Sequence, residues 1–308
     1  MGAVGDDYLG NILQQEFKRI APRRIDGIMI TDDAPTSSSI VINPPNTDRS
    51  FMHCPGANDV YCADDINYDL IHEESSIFHF GYPPLMRKFY ESADELASVF
   101  MRVKEKNILT SLDMVMVNSE SEAYHANWEA ILKNVLPYVD VFCPSIEEVV
   151  TLIPCLRNYK IDDQYSWGQI AKVFIEWGAK AVLLKMGKNG IFLKTSKQFR
   201  GLYDDTRWLD REWLGMPFRE IKFSGTTGAG DTAIAGFLAS MWRGYIPELS
   251  LQMANAVGTA CVEECDALSG IKGWLEIEQR IKVGWTNYNF LHDSGYWKKT
   301  EVQGIYTH

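Results

Sequence analysis

The chain has 308 residues, a 46% apolar share, a 23% charged share and a formal net charge of −11. That length holds one large α/β domain, or such a domain with a smaller appendage, and the acidic balance argues against a general nucleic-acid binder. No apolar run approaches the roughly 20 residues that cross a bilayer, so neither a nucleic-acid nor a membrane partner is expected. The opening Met1–Gly–Ala–Val–Gly–Asp–Asp7 does not read as a secretory leader. Six cysteines without a CxxC pair or histidines at zinc spacing read as reduced thiols, which predicts a cytoplasmic protein.

The stretch Gly2–Gly10 is rich in glycine and acid and gives way to a helix near Asn11–Ile20. Between Ile25 and Asp59, three strand-like pieces (Ile28–Ile30, Ser39–Ile42 and Ser50–His53) are separated by turn formers at Asp32–Pro35 and Asn43–Asn46. They predict a small antiparallel sheet without a covering helix, which must bury one face on the main domain, a ligand or another subunit. From about Ser75 strands and helices alternate. The strands are Ile77–Gly81, Ile108–Asp113, Val139–Phe142, Ala179–Leu184 and Gly190–Leu193. The helices cover Leu85–Lys104, Ser121–Leu136, a stretch from Ser145, and Trp167–Trp177. This alternation predicts an α/β fold with a mainly parallel sheet and helices on both faces. Ligands in such folds bind at the carboxyl ends of the strands. Residues 196–220 read as irregular. Helices then follow over Gly230–Arg243, Leu249–Cys265 and Trp274–Val283, and an aromatic-rich tail from Asn287 is expected on the surface. The domain reading is residues 1–24 with 61–308 for the α/β body and 25–60 for the small β unit.

The most informative stretch is Gly225–Thr–Thr–Gly–Ala–Gly–Asp231, which opens an almost wholly apolar helix. The first amides of a helix lack intrahelical partners and face outwards at the positive end of the dipole. Glycine lets an anion approach them closely, so the stretch predicts a phosphate cradle. Asp231 beside it would repel phosphate, which points to a task such as taking a proton from a hydroxyl. The pattern is neither GxxxxGK[ST] nor a strand-borne GxGxxG. Ser145–Ile–Glu–Glu148 fits a capping box, while Glu148 at a strand's carboxyl end also suits a hydrated Mg²⁺ near phosphates. Lys185–Met–Gly187–Lys–Asn–Gly190 reads by itself as a hairpin turn, with Asn189–Gly190 supplying positive φ. Asp113, ending a strand, is open between a site acid and a helix N-cap. His53, His72, His79 and His125 are scattered and read as surface or core residues.

Placed in order, these pieces resemble the ribokinase-like (PfkB) family of carbohydrate kinases from residue 2 to about residue 275. Gly225–Asp231 is similar to the family's DTxGAGD signature, and Val4–Gly10 to its GxVGxDxxG segment. Pro55–Asn58 resembles a GAN element, Pro144–Glu148 a PNxxE motif, and Lys185–Gly190 a TxGxxG turn. The resemblance implies a Rossmann-like domain binding ATP and a sugar, with the 25–60 unit as a β lid through which members often form homodimers. Asp231 would be the base that takes the acceptor's proton. The amides of Gly228, Ala229 and Gly230 would form the anion hole for the transferred phosphoryl group. Thr227, Lys185, Gly187, Gly190 and Asn255 would line the nucleotide, Asn58 and Asp231 would meet the acceptor, and Glu148 would orient the water shell of Mg²⁺.

Three departures accompany the resemblance. Gly225 stands where the family has an Asp linked in several members to a monovalent cation, so K⁺ activation is not carried over. Ser145 replaces the Asn of PNxxE. Members also carry about 30–50 residues before GxVGxD, with a strand and a sugar-gripping acid, and the expectation is that this form is less stable than a longer product and impaired in sugar binding. The implied activity is phosphoryl transfer from ATP to a hydroxyl of a small sugar or polyol. The alternatives are a non-catalytic nucleotide- or sugar-binding relative and a nucleoside kinase of the same fold.

Overall fold

The computed structural model describes residues 1–21, 25–42, 50–289, 291 and 295–308. The chain divides into two units, Met1–Ile108 with Val115–Val135, and Leu109–Met114 with Leu136–His308.

In the first unit, β1 (Gly2–Gly5) and β2 (Ile28–Thr31) run parallel, joined by α1 (Tyr8–Ile20). This corrects one expectation: Ile28–Ile30 pairs in parallel with the strand formed by the opening residues rather than within an antiparallel lid. The cause lies at Asp7, which is the N-cap of α1 and accepts the Gly10 N–H at 2.8 Å. The helix therefore starts at once and supplies the crossover that a parallel pair requires. Asp7 also accepts the Thr36 N–H at 2.7 Å and its hydroxyl at 2.7 Å, which ties the 34–37 segment to the start of α1. A Cβ on Gly5 would lie 2.7 Å from the Ala34 carbonyl oxygen, so only glycine admits this crossing.

The antiparallel pair that remains is β3 (Ser38–Ile42) with β4 (Ser50–Cys54); the turn expected at Asn43–Asn46 lies outside the described residues. The rest of the unit comprises α2 (Ala57–Val60), α3 (Tyr68–Glu74), β5 (Ile77–Phe80), α4 (Arg87–Glu91), α5 (Ala93–Lys104), α6 (Glu122–His125) and α7 (Trp128–Val135). The helix expected over Leu85–Lys104 breaks at Ser92, whose extended backbone (φ −128°) separates α4 from α5. Phe80, Phe89 and Phe100 form the aromatic centre of this unit's core.

In the second unit, β6 (Leu109–Leu112), β7 (Val141–Phe142) and β8 (Ala181–Lys185) are parallel neighbours. Beyond β8 the sheet is antiparallel through β9 (Ile191–Thr195) and β10 (Glu212–Gly215), then β12 (Ile305–Thr307) and β11 (Lys298–Lys299) at the edge. The sheet is therefore mixed rather than mainly parallel. The reason is the short connection from Lys185 to Ile191, which can only join antiparallel strands, as the Asn189–Gly190 turn signal indicates. The 196–220 region and the tail also hold more order than expected, because β10 and β12 pair and Ile305 is buried. The helices here are α8 (Ile146–Leu152), α9 (Gln164–Glu176), α10 (Ala229–Trp242), α11 (Pro247–Val262) and α12 (Trp274–Lys282). Helix α9 packs on β8 and β9, and α11 packs on β9, β10 and β12. Gly236 and Gly258 let α10 and α11 approach closely. A Cβ on Gly236 would lie 3.1 Å from the Met253 carbonyl oxygen, and one on Gly258 3.2 Å from Ala233 Cβ. None of the described helices is long and apolar enough to cross a membrane, and no disulfide joins any of the six cysteines.

Candidate active site

The glycine-rich turn does lead into a helix. Gly228 is the N-cap of α10 in the left-handed region (φ 78°), and a Cβ there would meet Ala267 Cβ at 2.6 Å. The turn is held from behind by α11 and its end: the Ser224 N–H donates to the Val262 carbonyl at 2.9 Å, and the Cys261 thiol lies 3.4 Å from the Thr227 carbonyl oxygen. Asp231 is in the first turn of α10 and is exposed. Of the three expected anion-hole amides, that of Ala229 donates to the Thr226 carbonyl at 3.2 Å, closing the turn on itself.

Beside this turn lies a buried ionic cluster. Asp113 follows β6, Glu148 lies in the first turn of α8 after β7, and Lys185 ends β8, so three neighbouring strands deliver them at their carboxyl ends. Lys185 Nζ donates to Asp113 Oδ1 at 2.7 Å, with side-chain exposures of 12% and 1%. The second carboxylate oxygen, Oδ2, is buried with no hydrogen-bond partner among the described residues. Burial pushes the Asp113 carboxyl up to about 7, against the opposing pull of Lys185 and with Glu148 adding to the rise. Burial works against the Lys185 ammonium too, but Asp113 and Glu148 outweigh it and its pKa is raised. A Cβ on Gly230 would lie 3.5 Å from Lys185 Nζ, so the ammonium rests against the first turn of α10. The cluster thus settles the choice left open for Asp113: it is an interior acid paired with a lysine 72 residues away.

Glu148 is where the capping box places it. Its Oε2 accepts the Ser145 N–H at 2.7 Å, and its own N–H donates to Ser145 Oγ at 3.2 Å. The Lys185 N–H donates to the Pro144 carbonyl at 2.9 Å, which locks this cap to the end of β8. Among the described residues no group of three or more His, Cys, Asp or Glu side chains is placed to hold a metal ion. Glu148 is therefore one hard oxygen donor, suited to a Mg²⁺ that arrives on phosphates and keeps most of its water, and unsuited to a closed protein cage.

The remaining residues divide. Gly187 (φ 54°) is open, whereas Gly190 (φ 85°) is required by packing, since a Cβ would sit 2.0 Å from the Gly215 carbonyl oxygen. Asn255 is buried in α11; its amide donates to the Leu251 carbonyl at 3.0 Å, and its Nδ2 would lie 2.5 Å from a Cβ on Gly215. Asn58 belongs to the first unit, where its amide donates to Ser37 Oγ at 3.1 Å. It lines a cavity of about 530 Å³ with Gly2, Gly27, Tyr61, Phe80 and Tyr82. His53 is exposed and bonded to Ser39 Oγ at 2.8 Å.

Comparison with known proteins bears on the family and the fold. The model of the pfkB family carbohydrate kinase matches residues 1–272. The chain is 27% identical over 277 residues to an uncharacterized sugar kinase of Archaeoglobus fulgidus, covering 88% of this chain and 93% of that one. It is 25% identical to an ATP-dependent 6-phosphofructokinase of Thermoanaerobacterium thermosaccharolyticum, over 83% of this chain and 70% of the other. Its fold matches Arabidopsis thaliana ribokinase complexed with ribose and ATP (TM-score 0.71, 20% identity, 92% and 81% coverage). A putative ribokinase II of E. coli in complex with ATP and Mg²⁺ matches equally well (TM-score 0.71, 22% identity, 92% and 82% coverage). The chain belongs to the pfkB family of carbohydrate kinases.

Proposed function

We propose that this protein transfers the γ-phosphoryl group of ATP to a hydroxyl of a small sugar or related polyol. The observation that carries the reading is the first turn of α10, where a glycine-capped helix start, the exposed Asp231 carboxylate and the Lys185 ammonium meet. Asp231 takes the proton of the attacking hydroxyl, a step that contributes about 10²–10⁴-fold when base and acceptor are well placed. The amides of Gly228, Ala229 and Gly230 stabilise charge on the phosphoryl oxygens; that of Ala229 exchanges its bond to the Thr226 carbonyl for one to the phosphoryl group. Thr227 and the β8–β9 turn, with Lys185, Gly187 and Gly190, line the nucleotide. Asn255 acts from behind this wall, since its amide nitrogen is engaged within α11. Mg²⁺ neutralises the phosphate charge when bound, and Glu148 is the residue that would meet its water shell.

The reading is supported by sugar-kinase relatives and by ribokinases solved with ATP. A cytoplasmic setting fits six cysteines that form no disulfide. The β3–β4 pair carries Ile40, Phe51 and Met52 at 61%, 54% and 62% exposure, and we assign it as the contact of a homodimer. The deciding assay measures phosphoryl transfer from ATP across sugars, polyols and nucleosides, with Asp231→Asn in parallel. Turnover is expected to fall by about 10²–10⁴-fold while ATP binding survives. Equal turnover by the two proteins would reject Asp231 as the base, and a nucleoside as the sole acceptor would redirect the assignment.

A further inference from the structure

The Asp113–Lys185 pair is more than a way to neutralise two buried charges. An isolated ammonium in the interior is costly, and a lysine given the choice extends its head to water along its four-carbon stem. Lys185 does not; its Nζ stays bonded to Asp113 at 2.7 Å and lies against Gly230 at the start of α10. An ammonium has three donors, and Asp113 is its one hydrogen-bonding side-chain partner among the described residues. The donors that remain are next to the helix end whose amides and dipole favour an anion. On the other side, Asp113 is rigidly placed: it directly follows β6, and the Cys143 N–H donates to the Leu112 carbonyl at 2.8 Å to bind that strand end to β7. Its Oδ2 has no hydrogen-bond partner among the described residues, and the side-chain bond of the carboxylate is the one to the ammonium at 2.7 Å.

We propose that Asp113 is a positioning residue that holds the Lys185 ammonium at the first turn of α10, where it binds the terminal phosphoryl group of ATP. The inference rests on the kinase reading given above and adds to it the residue that distinguishes ATP from ADP. Lys185 approaches the transferred group as a point charge from the β8 side, opposite to the helix amides. Without Asp113 the long side chain loses its anchor and its charge leaves the turn, even though Lys185 itself is present. Asp113 touches neither nucleotide nor acceptor in this arrangement.

The test is equilibrium binding of ATP and of ADP to the full chain, by calorimetry, for the wild type, Lys185→Met, Asp113→Asn and the double variant. Removing a charge-assisted hydrogen bond to the terminal phosphoryl should weaken ATP by about 10- to 100-fold and ADP by much less. Asp113→Asn should lose part of the same preference, and the double variant, which buries no unpaired charge, should lose it fully while keeping a cooperative thermal transition. A merely structural pair would lower the melting temperature and leave the ATP-to-ADP ratio as in the wild type, and that result in the double variant would overturn the inference. Wild-type protein that binds neither nucleotide would instead reject the kinase reading, so the two failures are separable.

Discussion

Two antiparallel pairs of equal length show how differently this chain uses the same local structure. In the first unit β3 and β4 pair over five residues, Ser38↔Cys54 to Ile42↔Ser50. In the second unit β8 and β9 also pair over five, Ala181↔Thr195 to Lys185↔Ile191. Nine of the ten residues of the first pair are exposed, whereas eight of the ten in the second are buried. The second pair has α9 packed on both strands and α11 packed on β9, and it carries Lys185 at its end. A two-stranded pair alone is marginal in water, so cover is what makes a strand end a fixed platform for an ammonium. The exposed pair has the chemistry of a surface that meets something else.

The comparison breaks most severely at Phe192, fully buried in β9. Phe192→Ala should cost about 3–5 kcal/mol of unfolding free energy in a urea titration, against a change within about 0.5 kcal/mol for a truncation on β3. A loss below 1 kcal/mol at Phe192 would mean that the buried pair is no more a scaffold than the exposed one. The turn of the buried pair comes next. Gly190→Ala places a Cβ against the Gly215 carbonyl at a positive φ, and should cost about 1–3 kcal/mol while displacing Lys185, read as weaker ATP binding. Unchanged stability and unchanged ATP affinity would show that the turn tolerates a side chain.

The pH dependence of stability sharpens the contrast further, because it arises on the buried side. The Asp113 carboxyl, raised from 3.8 to about 7, keeps in the folded state a proton that the unfolded chain has already released. Its contribution is therefore fully present below about pH 4 and is lost as the pH rises through about 7. Asp113→Asn should flatten that part of the unfolding curve measured at a series of pH values; a slope equal to the wild type's would show that another group carries it. The smallest effect is expected on the exposed pair. Ile40→Ser should leave the denaturant midpoint of the isolated chain nearly unchanged, within about 0.5 kcal/mol, and lower the apparent mass by light scattering. An unaltered mass would remove this surface from the homodimer assignment.

The sequence by itself determined what depends on neighbours along the chain. The Gly225–Asp231 turn demands a helix start because of where its glycines fall, and Gly228 indeed takes the left-handed cap. Ser145 and Glu148 are three residues apart, so their reciprocal cap was legible before any fold was known. The Lys185–Gly190 turn likewise announced a hairpin, though its consequence, a mixed sheet, escaped a reading based on alternation of strands and helices. Family membership followed from the order of such local pieces. Tertiary structure alone decided the rest. Gly2–Gly5 is a strand only because β2 pairs with it, and four residues with two glycines carry too little pattern to say so. Asp113 and Lys185 meet because two parallel crossovers bring β6 and β8 to either side of β7 with their carboxyl ends together. No periodicity links positions 72 residues apart; burial and the sheet's strand order do.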